Sequence, residues 1–232
     1  AAMFTGDPAS ALLAAERAFA AAEARDDERS AVIALCAQPA PLAELGEFER
    51  GVEVGAEAVR RAGRLGQMSD ILAAVVSAAS IHFNNPAGPD FASCLDVLAA
   101  HPDATSGGAT NEMWLDITWG TALAGLQRHG AVEHLARAAR AADRLHSLHA
   151  LDMALRFLTV VAAEAGLGEH ARALVGYTEE NLRPYRMENP QQVWVQERLD
   201  RVLVDLPGRL PGAAPPRSEI MRRITEIEAA LT

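Results

Sequence analysis

The sequence predicts an all-α fold in which antiparallel helical hairpins stack into a solenoid. Two observations support this expectation: an alanine- and leucine-rich composition with few aromatic residues, and a glycine-punctuated repeat of about 40 residues. Half of the 232 residues are apolar, but the aromatic ones comprise only 6 Phe, 3 Trp and 2 Tyr. Helices that pack through small side chains suit this composition better than a β-sandwich, which draws on β-branched and aromatic residues.

The repeat consists of a glycine, a short polar or proline-containing step and an apolar helical stripe. These glycines are Gly6, Gly46, Gly88, Gly130 and Gly168, and a small or apolar residue lies six positions after each of them. The nearly constant interval between them is about twice a typical helix length and shows no strand alternation, so each repeat should hold two helices. We expect the glycine to take the left-handed backbone conformation that ends one helix before the next begins.

The two helices of a repeat should differ in how much of their surface is exposed. After Gly130, small and aliphatic residues recur with the 3.6-residue period of a helix, which predicts one buried face and one wet face. The buried face comprises Val132, Leu135, Ala136, Ala139 and Ala142, and the wet face Glu133, Arg137, Arg140 and Asp143. The segment from Ala150 to Gly166 is apolar on more than one face and should lie between neighbours. Stacked hairpins produce this alternation, because a single hairpin cannot bury its own apolar face.

The chain should divide into a repeat domain over residues 1–206, a linker over 207–216 and a C-terminal helix over 217–232. The linker sequence PGRLPGAAPP breaks helix repeatedly. In the last helix, Ile220, Ile224, Ile227 and Leu231 form one apolar stripe. We expect this helix to dock either on the last hairpin of its own chain or across a homodimer interface. The opening sequence AAMFTGDPAS resembles the end of a helix entering a turn, which indicates a piece of a longer protein.

Charge and cysteine usage limit the possible partners. The formal net charge is −10, and all 21 basic residues are arginines. An acidic chain without a basic stripe is poorly suited to nucleic acid or anionic lipid. The longest uncharged stretch, Ile71 to Pro89, loses its apolar character well short of the ~20 residues of a membrane helix. Cys36 and Cys94 lie in apolar helical patterns and should be buried free thiols in a reducing, cytoplasmic environment.

One part of the chain resembles a known family. The stretch ALRFLTVVAAEAGLGEHARALVGYTEENLRPY, Ala154 to Tyr185, followed by QERLDRVL, Gln196 to Leu203, is similar to the near C-terminal repeats of large bacterial transcriptional regulators of the LuxR and maltose-regulator type. The resemblance covers roughly residues 6–206 and implies a right-handed, tetratricopeptide-like superhelix. In such proteins a regulatory ATPase precedes the repeats. This chain has no GxxxxGK[ST] phosphate loop and no helix-turn-helix with a basic recognition helix.

Several polar and aromatic residues lie on helices that would line the concave surface of such a superhelix. Aromatic rings beside polar groups suit a pocket or a peptide groove. The alternative is that the large side chains fill gaps in an alanine-rich core. The candidate groove residues are His82, Asn84, Trp114, Asp116, Trp119, Asp152 and Arg156.

Metal binding and catalysis have weaker support in the sequence. Asp143, His146, His149 and Asp152 are spaced by three, so on one continuous helix they could offer ligands to a metal. The alternative is a polar rim on a helical hairpin. No GxSxG elbow, HExxH motif or paired Cys and His occurs, so we expect no enzymatic activity, no cofactor and no resident metal.

These observations predict a non-catalytic interaction or regulatory domain of a larger bacterial signalling or transcription-regulatory protein. Its concave face would bind a protein segment or a small effector, and its other partners would be domains of the same parent chain. Two alternatives stay open: a purely structural spacer, and a metal- or ligand-dependent enzyme centred on His146 and His149.

Overall fold

The computed structural model describes residues 7–105, 107–186, 190–204 and 214–232. Every regular element within these ranges is helical, which confirms the predicted all-α class. The α-helices are α1 (Pro8–Glu23), α2 (Glu28–Cys36), α3 (Pro39–Glu44), α4 (Phe48–Leu65), α5 (Met68–Ser80), α6 (Phe91–Ala99), α7 (Ala109–Gly125), α8 (Ala131–Arg144), α9 (Leu148–Glu164), α10 (Gly168–Tyr177), α11 (Pro190–Val204) and α12 (Arg217–Leu231). Shorter helical turns are a 3-10 helix at Ile81–Asn84, a π-helix at Thr178–Leu182 and a 3-10 helix at Arg183–Tyr185.

The chain forms two compact units, and the boundary between them falls within α7. The first unit extends to Leu115 and includes Gln191, and the second holds the rest of the described chain from Asp116 onward. The predicted helix at 217–232 corresponds to α12. Residues 207–213 of the predicted linker lie outside the described residues, and 214–216 are not helical.

In the first unit, α1 packs on α2 and α3, α4 packs on α2, α3 and α5, and α5 packs on α2 and α6. Its core is built from small and aliphatic side chains such as Val32, Leu35 and Ala58. Close contact between α4 and α5 depends on glycine, since a Cβ atom on Gly55 would lie 3.1 Å from Ala78 Cα. The composition therefore predicted the packing style correctly.

In the second unit, α9 packs between α8 and α10 and is the most enclosed helix of the unit. Twelve of its residues are buried, from Ala150 to Ala162. Helix α8 buries its predicted apolar stripe, and Glu133 and Arg137 are exposed on its opposite side. The expected contrast between a half-exposed and an enclosed helix is confirmed for this hairpin.

The turns between helices recur more often than the glycine repeat suggests. A left-handed residue lies between helices at close to half the spacing of that repeat, and several of these residues are not glycine. These positions are Asp26, Gly46, Gly66, Gly88, Gly108, Gln127, His146 and Gly166, with Gly130 as a second one in the turn that holds Gln127. Two such turns make up one repeat, so the glycine pattern marks only some of the helix ends.

The sequence pattern placed the glycine that ends α9 two residues too far along the chain. Gly166, with φ of +81°, takes the left-handed conformation, and Gly168 is the first residue of α10. The N–H of Leu167 donates to the carbonyl of Ala162 at 2.8 Å, and the N–H of Gly166 to that of Ala163 at 3.0 Å. This pair of bonds satisfies the last free carbonyls of the helix and requires the positive φ at Gly166.

Helix α12 docks within its own chain and packs on α8 and α10. Ile220, Ile224 and Ile227 of its predicted stripe have no exposed surface, and Leu231 is half-buried. The helix covers part of the α8 face that was expected to be wet, since Arg140 and Asp143 both pair with α12. That part of the expectation was wrong, because a wet face on one helix can be the docking surface of another that is distant in sequence.

Among the described helices, none combines the length and the apolar character that a bilayer-spanning segment needs.

Candidate functional site

A shallow depression of about 480 Å³ in the first unit is the clearest concave surface next to predicted groove residues. The loop before α4 and the start of α4 supply one wall, residues 46–50, and the segment after the 3-10 helix supplies the other, residues 85–87. His82 and Asn84 lie in that 3-10 helix. The structure thus places two of the seven predicted groove residues beside this depression.

Apolar and charged residues both line the depression, and we call the apolar part its floor and the charged part its rim. Phe48, Pro86 and Ala87 supply apolar surface, and the ring of Phe48 meets the ring of His82 edge-on at 6.1 Å between centroids. On the rim, Arg50 pairs with Glu47 at 2.8 Å and with Glu16 at 2.7 Å. Protein–protein interfaces commonly combine an apolar centre with a polar rim.

Glu49 is the rim carboxylate that no described residue neutralises through an ion pair. Its negative charge faces His82 closely enough to favour the protonated imidazole, but burial acts more strongly and lowers the pKa of His82 below its ordinary value. His82 is therefore neutral at pH 7. In the same 3-10 helix, Oδ1 of Asn84 is buried and accepts no hydrogen bond from a described residue.

A second cluster joins α7 to α8 in the second unit and contains two further predicted groove residues, Asp116 and Trp119. Asp116 Oδ1 lies 2.7 Å from His134 Nδ1, and Arg137 donates to the same oxygen from 2.8 Å. The indole of Trp119 stacks on the His134 ring with centroids 5.8 Å apart. Trp114 is half-buried and belongs to the first unit.

The electrostatics of this cluster favour ionised Asp116. Burial alone would raise the pKa of its carboxyl group, but hydrogen bonds from His134 and Arg137, with the charge of Arg137, outweigh burial and hold the pKa below its usual value. His134 is half-buried. Its spacing of three from Arg137 places both on one side of α8, but the partner on α7 gives no signal in the local sequence.

The Asp116 and His134 pair resembles the oriented imidazole of a general base, but no described hydroxyl or thiol bonds to it. The described hydrogen-bond partners of His134 are Asp116 and Arg137, and neither carries a proton that a general base would remove to form a nucleophile. The cluster therefore ties α7 to α8 through charge-assisted hydrogen bonds.

Asp152 and Arg156, the last two predicted groove residues, are buried within the second unit. Asp152 has no exposed surface and pairs with Arg186 at 3.3 Å. Arg156 is 1% exposed and donates to Oε1 of Gln192 and, at 2.5 Å, to Oε1 of Gln196. The Arg156 bonds fix α9 to α11, and the Asp152 pair fixes α9 to the segment before α11. Neither residue lies in the open groove position that the sequence suggested.

Burial is the largest cause of the pKa shifts of both groups. It lowers the pKa of Arg156 to about 10, with the charge of Arg186 acting in the same direction. Burial also raises the pKa of Asp152, although the hydrogen bond from Arg186 opposes this change. A cation whose bonded partners are neutral amides remains costly to bury, since the amide oxygens satisfy its donors without cancelling its charge.

The possible metal ligands around His146 do not converge. Helix α8 ends at Arg144 and α9 begins at Leu148, so the four residues do not share one continuous helix. His146 takes the left-handed position of the turn, with φ of +54°. Asp143 pairs with Arg217, and His149 Nδ1 lies 3.1 Å from the carbonyl oxygen of Tyr185. Nowhere in the described ranges do three His, Cys, Asp or Glu side chains form a group that could hold a metal ion.

Both cysteines are free, Cys94 is buried and Cys36 is half-buried. Burial raises the pKa of Cys36 to about 12, helped by the charge of Asp70, and it raises the pKa of Cys94 as well. Thiols with raised pKa values are unreactive at neutral pH, which fits a packing role.

No protein-family model matches the chain, and no curated protein and no solved structure is significantly similar to it. Its function is therefore argued from the geometry of the described residues.

Proposed function

We propose that this chain is a non-catalytic helical-repeat interaction domain that binds a protein segment at the depression between residues 46–50 and 85–87. The observation that carries this proposal is the combination of an apolar floor, supplied by Phe48 and Pro86, with the rim carboxylate of Glu49. A partner segment would place an apolar side chain on the floor and a basic side chain against Glu49. The depression is open rather than enclosed, so it suits an extended segment better than a small effector.

The fold that supports this function is, in our proposal, a right-handed tetratricopeptide-like superhelix. Its support is the regular recurrence of left-handed residues between helices, with two such turns to each glycine repeat. We propose that the domain belongs to a larger bacterial regulator of the LuxR and maltose-regulator type, whose other domains are further partners. Support for this origin is the resemblance of residues 154–185 and 196–203 to such repeats.

Selection of random linear peptides on the full chain tests the binding proposal. Affinities of the enriched peptides are then measured by fluorescence anisotropy for the unmodified chain, Phe48→Ala, Glu49→Gln and Glu53→Gln. Glu53 is the matched control, because it is exposed on α4 one turn after Glu49 and does not line the depression. We expect Phe48→Ala and Glu49→Gln to weaken binding about tenfold each, the loss typical of one important contact.

Two results would reject this function. If no peptide is enriched, the chain is a structural spacer at this surface. If Glu53→Gln weakens binding as much as Glu49→Gln, the peptides bind elsewhere on the acidic surface.

A further inference from the structure

Helix α12 is held on the second unit by one apolar stripe. Ile220, Ile224 and Ile227 have no exposed surface, and the helix contacts α8 and α10. On its outer side, Arg222 and Ala229 are exposed. The helix is thus buried along one face only, in contrast to α9, which is enclosed on most sides.

Ion pairs with α8 border one side of the isoleucine stripe. Arg217, the first residue of α12, donates to the carboxylate of Asp143 and to its carbonyl oxygen, the latter at 2.7 Å. Further along, Glu228 accepts from Arg140 at 2.5 Å. Both ends of α12 are therefore held by charges on the last turns of α8.

Polar contacts with α10, one of them an ion pair, border the other side of the stripe and set the direction of the helix. Arg223 lies 3.3 Å from Glu169 at the start of α10, and Glu226 lies 3.7 Å from His170. Arg217 is close enough to Tyr177, at the end of α10, for its charge to lower the pKa of that phenol against the larger effect of burial. Helix α12 consequently runs antiparallel to α10.

Helical spacing places three small residues on the sides of α8 and α10 that carry the ion pairs to α12. Ala136 lies one turn before Arg140, and Ala139 lies one turn before Asp143. Ala173 lies one turn after Glu169. Because all three charged residues pair with α12, the three alanines are on the sides of α8 and α10 that face α12. All three alanines are buried. Together with Arg140, Asp143 and Glu169, these alanines define what we call the α8–α10 groove.

A short amphipathic helix of this kind is stable only while docked. Isolated helices of about 15 residues are marginal in water, so folding of α12 and its docking are coupled. Local opening is easiest for elements with few buried apolar contacts, and α12 buries only one face. Its ion pairs are also weakened by salt. Release of α12 would expose a groove that is already shaped for a helix.

We propose that the α8–α10 groove is an exchangeable helix-docking site, filled by α12 in the free chain and able to accept an amphipathic helix of a partner protein in its place. The groove determines the chemistry of that partner. The partner helix carries aliphatic side chains at positions i, i+4 and i+7, which pack over the alanines of the groove. It also carries a cation opposite Asp143 in its first turn and an anion opposite Arg140 in its last turn.

A peptide of residues 214–232 is the probe for this site, used with full-length protein in which Ile224→Asp undocks α12. We expect the labelled peptide to bind this variant, measured by fluorescence anisotropy. Its apparent affinity for the unmodified chain should be weaker by about 100-fold or more, because the open state is rarely populated. Ala229→Asp, on the exposed side of α12, is the matched control and should exclude the peptide as the unmodified chain does.

Charge reversal identifies the site of binding. In the Ile224→Asp protein, Arg140→Glu should weaken binding of the peptide, and a peptide carrying Glu228→Arg should restore it. Failure of the second peptide to restore binding, or equal binding of the first peptide to all proteins, would overturn the proposal.

Hydrogen exchange on the unmodified full chain provides a test that does not depend on how a variant folds. We expect amides of α12 to exchange through local opening, at least about tenfold faster than the protected amides of α9. Exchange of both helices only through global unfolding would reject an exchangeable α12. This groove and the depression at Glu49 belong to different units, so each experiment can fail without affecting the other.

Discussion

The carboxylate of Asp116 and the imidazole of His134 lie 2.7 Å apart and bond α7 to α8. Arg137, one turn after His134, donates to the same carboxylate, and Trp119 stacks on the imidazole. One acidic side chain therefore organises a cluster that involves two helices. The mutual bonding of these groups gives them a structural role that single-residue substitutions can measure.

Asp116→Asn should destabilise the protein by about 1.5–3 kcal/mol, because it removes the charge that accepts hydrogen bonds from His134 and Arg137. Urea unfolding followed by circular dichroism measures the change. Glu133→Gln is the control, since it breaks only the exposed pair of Glu133 with Arg137 on one helix. That loss should stay within about 0.5 kcal/mol. Equal effects of the two substitutions would contradict a structural role for the cluster.

Gly120→Ala should destabilise the protein although alanine favours helix. A Cβ atom at Gly120 would lie 2.7 Å from Leu135 Cγ and 3.0 Å from Leu135 N, so α7 and α8 would have to move apart. Overpacking of this kind costs about 1–3 kcal/mol. Gly63→Ala, in α4 with no atom within 4 Å of its added Cβ, should instead stabilise by about 0.5–1 kcal/mol. Thermal unfolding of both variants decides the sign of each change.

Ile227→Ala should cost about 2–5 kcal/mol, the usual range for removing a fully buried aliphatic side chain. Leu231→Ala removes a similar side chain from the same predicted stripe, but Leu231 is only half-buried and its loss should cost clearly less. Urea unfolding compares the two free energies. Equal losses would mean that α12 is not seated as described.

Stability should fall as the pH is lowered from 7.5 through about 6.5, the ordinary pKa of histidine. Burial lowers the pKa of His82 in the folded chain, with the charges of Asp90, Asp96 and Glu49 opposing it. Below pH 6.5 the unfolded chain binds a proton at His82 before the folded chain does, so acidification favours unfolding until the lower folded pKa is passed. Binding of one proton changes the free energy of unfolding by less than about 1.4 kcal/mol per pH unit.

Urea unfolding at pH 7.5 and 5.5 checks this dependence. His82→Asn should reduce the loss of stability on acidification, and His129→Asn, at an exposed position, should leave it unchanged. Part of the dependence should persist in the His82 variant, because burial also lowers the pKa of His149. A His82 variant with the full pH dependence of the unmodified chain would contradict the buried, neutral state of this imidazole.

Helix identity and exposure could be predicted where the evidence is local. The apolar stripe of α8, the enclosure of α9 and the bounds of α12 follow from periodicity over a few turns, because residues three and four apart share one helix face. Helix ends were harder to place: Asp26, Gln127 and His146 occupy left-handed positions without glycine. The same turn geometry can be taken by several residue types, so composition marks only part of the pattern.

The all-helical class, the small side chains of the core and the need for a surface to cover the isoleucine stripe follow from the sequence alone. Which surface covers those isoleucines, and which polar groups meet, depends on how the helices pack. His134 finds Asp116 on the preceding helix, and Arg156 finds Gln192 and Gln196 on a helix still more distant in sequence. Such pairs depend on how helices pack, because the geometry that brings two distant side chains together is set by all the contacts between their helices and not by either local sequence.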